Sequence, residues 1–199
     1  MSRATVRATI AVLALALIAG AAAAAGQSAP SGPQIQRSSS GVAGRTVIAW
    51  SAPFAQFQAR SDRPADCDRG QKSLVLFVVG ASGPNQRTAC TARVGQPVMV
   101  SPAFVICTPP DRGFCTATER VNDVRRVRMS IDGVPMVRRN FDWVARQGFR
   151  LGGEQAAVAG DMYVITGLSA GEHTIVTSVR VRTPEGPFDA GMTATVTVQ

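Results

Sequence analysis

The chain has 199 residues, 45% of them apolar and 17% charged. That is globular composition, so a wholly disordered or collagen-like chain is excluded, and the length allows one domain or two very small ones. The 21 basic residues outnumber the 13 acidic ones, giving +8, and every basic residue but Lys72 is arginine.

Residues 1–25 read as a secretory signal peptide. Arg3 and Arg7 supply the positive end, and Ile10 to Ala19 form an apolar run too short to span a bilayer comfortably. Ala23 and Ala25 place small residues before a cut near Ala25. The competing reading is an uncleaved anchor, because alanines prolong the apolar stretch. Cleavage would lower the net charge to +6. The expected destination is the periplasm or the outside of the cell. No later run is long enough to cross a membrane.

Residues 26–44 are rich in Ser, Gly, Gln and Pro, with only Ile35 and Val42 large and apolar. Such a stretch buries too little surface to offset its ordering entropy and reads as a flexible leader. A single domain is expected over 45–199, long enough for one sizeable core.

The body reads as β. Arg45 to Ala52 is a first strand, and Ser73 to Val79 a continuous apolar run covered on both faces. Arg87 to Val94 and Pro97 to Ile106 follow, with Gly95 at the turn between them. In Val124 to Ile131, Val127, Met129 and Ile131 point one way and Arg126, Arg128 and Ser130 the other. Asp132-Gly133 signals a hairpin. Phe141 to Val144, Met162 to Leu168, His173 to Arg182 and Met192 to Val198 complete the set. Thr116 and Glu119 have capping-box spacing for one short turn, and no long helix is expected. About eight or nine short strands with regular turn signals predict a single antiparallel β-sandwich, immunoglobulin-like or jelly-roll-like. A barrel is the alternative.

Four cysteines, Cys67, Cys90, Cys107 and Cys115, in an exported chain read as two disulfides, with three connectivities open. The seven residues between Cys107 and Cys115 include Pro109, Pro110 and Gly113, a compact loop easily stapled. That pairing is preferred and leaves Cys67 with Cys90. Zinc or redox chemistry would want a close Cys-x-x-Cys pair, and the chain has none.

Cys67 to Gly80, Arg87 to Pro97 with Pro102, Ile131-Asp-Gly-Val-Pro135, Gly160-Asp-Met-Tyr-Val164 and Gly167 to Ile175 together resemble a family of uncharacterised secreted bacterial proteins. In that family Cys and Gly-Gln precede an apolar strand, Arg-x-x-Cys-Thr leads to a Gly-x-Pro turn, and a His-Thr corner precedes the penultimate strand. The resemblance covers roughly Trp50 to Gln199. Ala170 stands where the family has Pro, and Tyr163 alone remains of its Gly-Tyr-Trp strand. The resemblance implies export and a β-sandwich, with no catalytic residue to carry over. More loosely, Leu168-x-x-Gly-x-His-Thr-Ile175 is similar to the corner of bacterial immunoglobulin-like and fibronectin-like modules.

Chemistry is thinly signalled. A Ser-His-Asp or Cys-His catalyst would have to use His173, the single histidine, and no Gly-x-Ser-x-Gly elbow appears. His173 sits where a turn enters a strand, which favours a packed, turn-capping role. Asp142, Glu154 and Asp161 could supply a glycosidase pair, although Asp132 and Asp161 already have places in turns. Asp62, Asp66 and Asp68 interleave with Arg60, Arg63 and Arg69, so ion pairing explains them better than calcium does. Trp50, Phe54, Phe57 and Trp143 read as core anchors. No catalytic residue, metal ligand or cofactor is assigned.

The arginines carry direction. Arg120, Arg125, Arg126, Arg128, Arg138, Arg139, Arg146 and Arg150 lie within 31 residues. Arg126 and Arg128 share a strand face, and the Asp132-Gly133 hairpin can bring Arg138 alongside. Such a face attracts phosphates, sulfated glycans or anionic envelope polymers, more weakly as salt rises. The bland alternative is solvated surface. Nucleic acid is not expected, given export and sparse aromatics. The sequence thus predicts a non-catalytic binding or interaction module at the envelope or outside the cell, for an anionic polymer or a protein partner. The alternatives are a secreted polysaccharide hydrolase and a purely structural envelope protein. Oligomeric state is left open.

Overall fold

The computed structural model describes residues 32–59, 67, 73–78, 83–109, 124–137, 143–183 and 186–199. The expected signal peptide lies outside them, as do the Asp62, Asp66 and Asp68 cluster, the Thr116 to Glu119 turn, Cys115 and Arg138. Among the described residues no helix is long and apolar enough to cross a membrane.

The fold is an all-β sandwich with one helix laid on it. Sheet I contains β1 (Gln34–Gln36), β10 (Glu154–Thr166), β6 (Val98–Cys107) and β4 (Leu76–Phe77), in that order. β9 (Trp143–Leu151) pairs with the first half of β10, on the edge that β1 takes at its far end. Sheet II runs β5 (Gln86–Ala92), β12 (Gly186–Val198), β11 (Gly171–Thr183), β7 (Val124–Ile131), β8 (Val134–Val137). Two two-residue strands, β2 (Gly41–Val42) and β3 (Arg45–Thr46), form a separate ribbon. The expected Asp132-Gly133 hairpin joins β7 to β8, and Asp132 itself is left-handed, with φ 51°.

The sandwich is not purely antiparallel. β5 pairs with β12, and β4 with β6, in parallel. The turn at Gly95 therefore carries the chain from sheet II to sheet I rather than closing a hairpin.

The expected first strand, Arg45 to Ala52, is a correction. Only Arg45–Thr46 is strand, and Val47–Gln58 is a helix, α1. Thr46 caps it, its hydroxyl accepting from the Ala49 amide at 3.3 Å. Trp50, Phe54 and Phe57 recur at helical spacing and are all buried. They meet Phe77 of β4, and Phe54 also meets Phe104 of β6 edge-on with ring centres 5.3 Å apart. The β-branched pair Val47-Ile48 reads as strand locally, but burying three aromatics on sheet I selects the helix. Trp50, Phe54 and Phe57 are thus the core anchors expected of them, while the side chain of Trp143, expected to join them, lies outside the described set.

β10 explains why alternation failed over the middle of the chain. Residues 156–165 are buried without a break, because the core of the sandwich covers one face and α1 the other. A strand buried twice reads as a continuous apolar run. The sequence therefore showed Met162 to Leu168 and Phe141 to Val144, where the structure has a long β9–β10 hairpin turning at Gly152-Gly153. Within β10, Gly160 is required: a Cβ there would lie 2.4 Å from the Ala103 carbonyl oxygen and 2.6 Å from the Phe104 Cβ.

The stretch expected as flexible leader is structured from residue 32 onward. Gln34–Gln36 pair antiparallel with Val164–Thr166, and Gln36 donates to the Thr166 hydroxyl at 2.8 Å. Val42 is buried, its carbonyl accepting from the Trp50 indole at 2.8 Å. A polar segment gains order when an open sheet edge offers it backbone partners.

Cys67 and Cys90 are bonded, with Cα atoms 5.1 Å apart, within the range a disulfide needs. The bridge, with the Cys67 amide donating to the Ala89 carbonyl, ties the loop before β4 to edge strand β5. Cys107 is also disulfide-bonded.

Candidate functional site

Among the described residues, the outer face of sheet II is not covered by another element. Along β7, Val127, Met129 and Ile131 are buried and Arg128 is exposed, as the alternation predicts. The register places Arg128 opposite Ser178 of β11, and Arg126 opposite Arg180. Ser178 in turn faces Gly191 of β12.

These positions enclose a shallow hollow of about 280 Å³, lined among others by Asn85, Arg128, Ser178, Arg180, Asp189 and Gly191. A flat sheet face has no concavity of its own, and here glycine supplies it. Gly191 presents no side chain between Ser178 and the Pro84-Asn85 turn, and its amide donates to the Gly83 carbonyl at 3.2 Å. A Cβ at 191 would lie 3.3 Å from the Thr177 carbonyl oxygen.

The charges in the hollow are unequal in status. Arg180 donates from Nε to Asp189 Oδ1 at 2.7 Å and from Nη2 to Oδ2 at 2.9 Å, a two-point pair open to solvent. Those hydrogen bonds hold the Asp189 carboxyl below the usual carboxylate range and raise the Arg180 guanidinium above its ordinary value. Arg128 has no acidic partner among the described residues. Among its described side chains the hollow therefore carries one uncompensated positive charge, beside a hydroxyl and a neutralised arginine.

The arginine run did not predict this composition in full. Arg126 and Arg128 lie on the expected strand, and the side chain of Arg126 lies outside the described set, as does all of Arg138. Arg146 and Arg150 belong to the other sheet and serve the fold. Arg146 donates to the Ala49 carbonyl and Arg150 to the Gly153 carbonyl, each at 3.0 Å. Arg180, Asp189 and Gly191 were missed, because they come from β11 and β12, more than fifty residues downstream. The alternation of Val179 and Val181 around Arg180 was the available signal.

His173 is buried at the start of β11. Its Nδ1 lies 2.7 Å from Asp132 Oδ2, and its Nε2 lies 2.9 Å from the Ser169 carbonyl oxygen and 3.4 Å from the Ser169 hydroxyl. Asp132 Oδ1 also accepts from the Thr174 amide at 2.8 Å. Serine, histidine and aspartate are thus adjacent, but the shorter Nε2 contact is to a carbonyl, which only an N–H can satisfy. A ring donating from both nitrogens is a cation, with no lone pair to activate the serine. Burial opposes that charge. The hydrogen bonds to Asp132 and the Ser169 carbonyl, with the carboxylate's charge, outweigh it and raise the His173 pKa. Burial likewise opposes the Asp132 carboxylate, but the bonds from His173 and Thr174 prevail and lower its pKa. The constellation clasps the β7–β8 turn to the β10–β11 loop, in the turn-capping role expected for His173.

Of the candidate glycosidase carboxylates, Asp161 and Glu154 do not converge. Asp161 is buried in β10 and Glu154 is exposed at that strand's start. Seven residues of strand separate them by roughly 20 Å, too far for either hydrolytic geometry. Asp142 lies outside the described residues. Among the described residues no three His, Cys, Asp or Glu side chains are grouped to hold a metal ion.

No family model and no curated protein matches the chain. Among solved structures, PbICP-C, determined in complex with falcipain-2, is 16% identical with a TM-score of 0.29, covering 67% of this chain and 98% of its own. Amebosin, determined in solution, is 14% identical with a TM-score of 0.22, covering 59% of this chain and 98% of its own.

Proposed function

We propose that this protein is an exported, non-catalytic binding module that holds an anionic polymer of the cell envelope against the outer face of sheet II. It would belong with the secreted bacterial sandwich proteins that its Cys67 to Pro97 and Gly167 to Ile175 segments resemble. One observation carries the reading: Arg128 is exposed, unpaired by any described acid, and stands over a hollow with Ser178 and Arg180 on its rim. A fixed guanidinium beside a concavity offers a charged group on a polymer both attraction and a seat. A disulfide-stapled sandwich suits an oxidising compartment.

The test is retention of the oxidised mature chain, residues 26–199, on envelope fractions of the producing cell at low and high salt. Retention should fall as salt rises and disappear when Arg126 and Arg128 are both replaced by Glu. Retention that ignores both salt and the charge reversal would overturn the reading. So would its absence at either salt, which would move the search to protein partners.

A further inference from the structure

The paired arginine of the hollow carries more than the unpaired one. If the hollow served a densely charged polyanion such as polyphosphate or a nucleic acid, two free guanidinium groups would serve it better than one. Instead Asp189 occupies Arg180 at two points, 2.7 and 2.9 Å, on the rim of the same hollow that Arg128 lines. A second anionic group arriving close to the first would meet this carboxylate and be repelled. A ligand with widely spaced charges would place one on Arg128 clear of this carboxylate, with exposed Arg87 of β5, the register neighbour of Thr193, further along the same face.

The rest of the face is suited to hydroxyl-rich chains. From the hollow, Ser178 and the half-buried Thr193, Thr195 and Thr174 continue on the outer side of β11 and β12; Thr174 is in register with Thr195, and Thr193 with the exposed Val176. These groups both donate and accept hydrogen bonds, as sugar hydroxyls do. The outward positions from Arg128 through Ser178 and Gly191 to Thr195 hold no aromatic residue, so the base stacking that single-stranded nucleic acids use has no platform on this stretch.

We infer that the hollow selects a sparsely charged acidic polysaccharide over a densely charged polyanion, and that Asp189 sets this choice by occupying Arg180. The inference rests on the anionic-polymer reading above and names its ligand class. Asp189 is a specificity-determining residue, and its side chain is exposed, so the fold does not depend on it.

The experiment titrates the oxidised chain with fluorescently labelled hyaluronate, which carries one carboxylate per disaccharide, and with polyphosphate of matched length. The proteins are the natural chain, Asp189→Asn and Arg128→Gln. The natural chain should prefer hyaluronate. Asp189→Asn should tighten polyphosphate binding by about fivefold, as expected for one released surface charge, and steepen its salt dependence, while hyaluronate changes less. Arg128→Gln should weaken both polymers. If Arg128→Gln weakens both but the natural chain prefers polyphosphate, or Asp189→Asn leaves the preference unchanged, this inference falls and the binding site stands. If neither polymer binds, or Arg128→Gln changes nothing, both fall. Circular dichroism of each variant confirms that the comparison is between folded proteins.

Discussion

Arg146 donates to the carbonyl of Ala49 at 3.0 Å, and Ala49 is the residue whose helical partner would be Pro53. Proline has no amide hydrogen, so the bond from residue 53 back to residue 49 cannot form. A guanidinium from β9 fills the vacancy. One contact thus explains both how α1 tolerates an internal proline and how the helix is fixed to the edge of sheet I.

This link predicts a coupling. Arg146→Met should cost about 2 kcal/mol of stability, as expected for a hydrogen bond with a charged donor whose acceptor is left half-buried. Pro53→Ala restores the amide, so Arg146→Met should cost clearly less in that background. Urea unfolding of the two single variants, the double variant and the natural chain measures it. Equal costs in both backgrounds would break the connection.

The His173–Asp132 clasp predicts a pH dependence whose sign follows from the two shifts. The His173 pKa is raised, so its contribution is complete below its unfolded value near 6.5 and is lost as pH rises through the folded value. The Asp132 pKa is lowered, so its contribution is complete above about pH 4 and is lost as pH falls through the folded value. The pair stabilises most between those limits. The Asp132 side chain is 44% exposed, so the effect is modest. With a single histidine in the chain, His173→Gln should flatten stability between pH 6 and pH 9. Urea midpoints across that range would reject the clasp if the variant kept the natural slope.

The Cys67–Cys90 bridge closes a loop of sequence separation 23. Replacing both cysteines with alanine should cost about 3.5 kcal/mol by loop-closure entropy. Alkylation of the unfolded natural chain without reductant should add no label, because no described cysteine is free. Labels on Cys67 and Cys90, found by peptide mapping, would contradict the bridge.

Much of sheet II was legible in the sequence. Val127, Met129 and Ile131 alternate with Arg126, Arg128 and Ser130 because one face of β7 is wet and the other dry, and that contrast writes itself into the residues. The Asp132-Gly133 turn is legible because left-handed backbone restricts which residues fit. Sheet I was less legible. Ala156 to Ile165 is buried on both faces, so nothing alternates. Val47 to Ala52 has β-branched content, and its helix shows only in Thr46 and the spacing of Trp50, Phe54 and Phe57.

The sequence by itself determined the class of fold, the cysteine count, the position of the charged strand and the sheet face on which Arg128 would stand. These are local properties, fixed by period, composition and turn chemistry within ten residues or so. Only the tertiary structure decided what Arg128 would stand beside. Ser178, Arg180, Asp189 and Gly191 reach it through the register of β7 on β11 and β11 on β12. That register is set by burying Val127, Val179 and Ala190 together in the core, a non-local condition that no short window of the sequence contains.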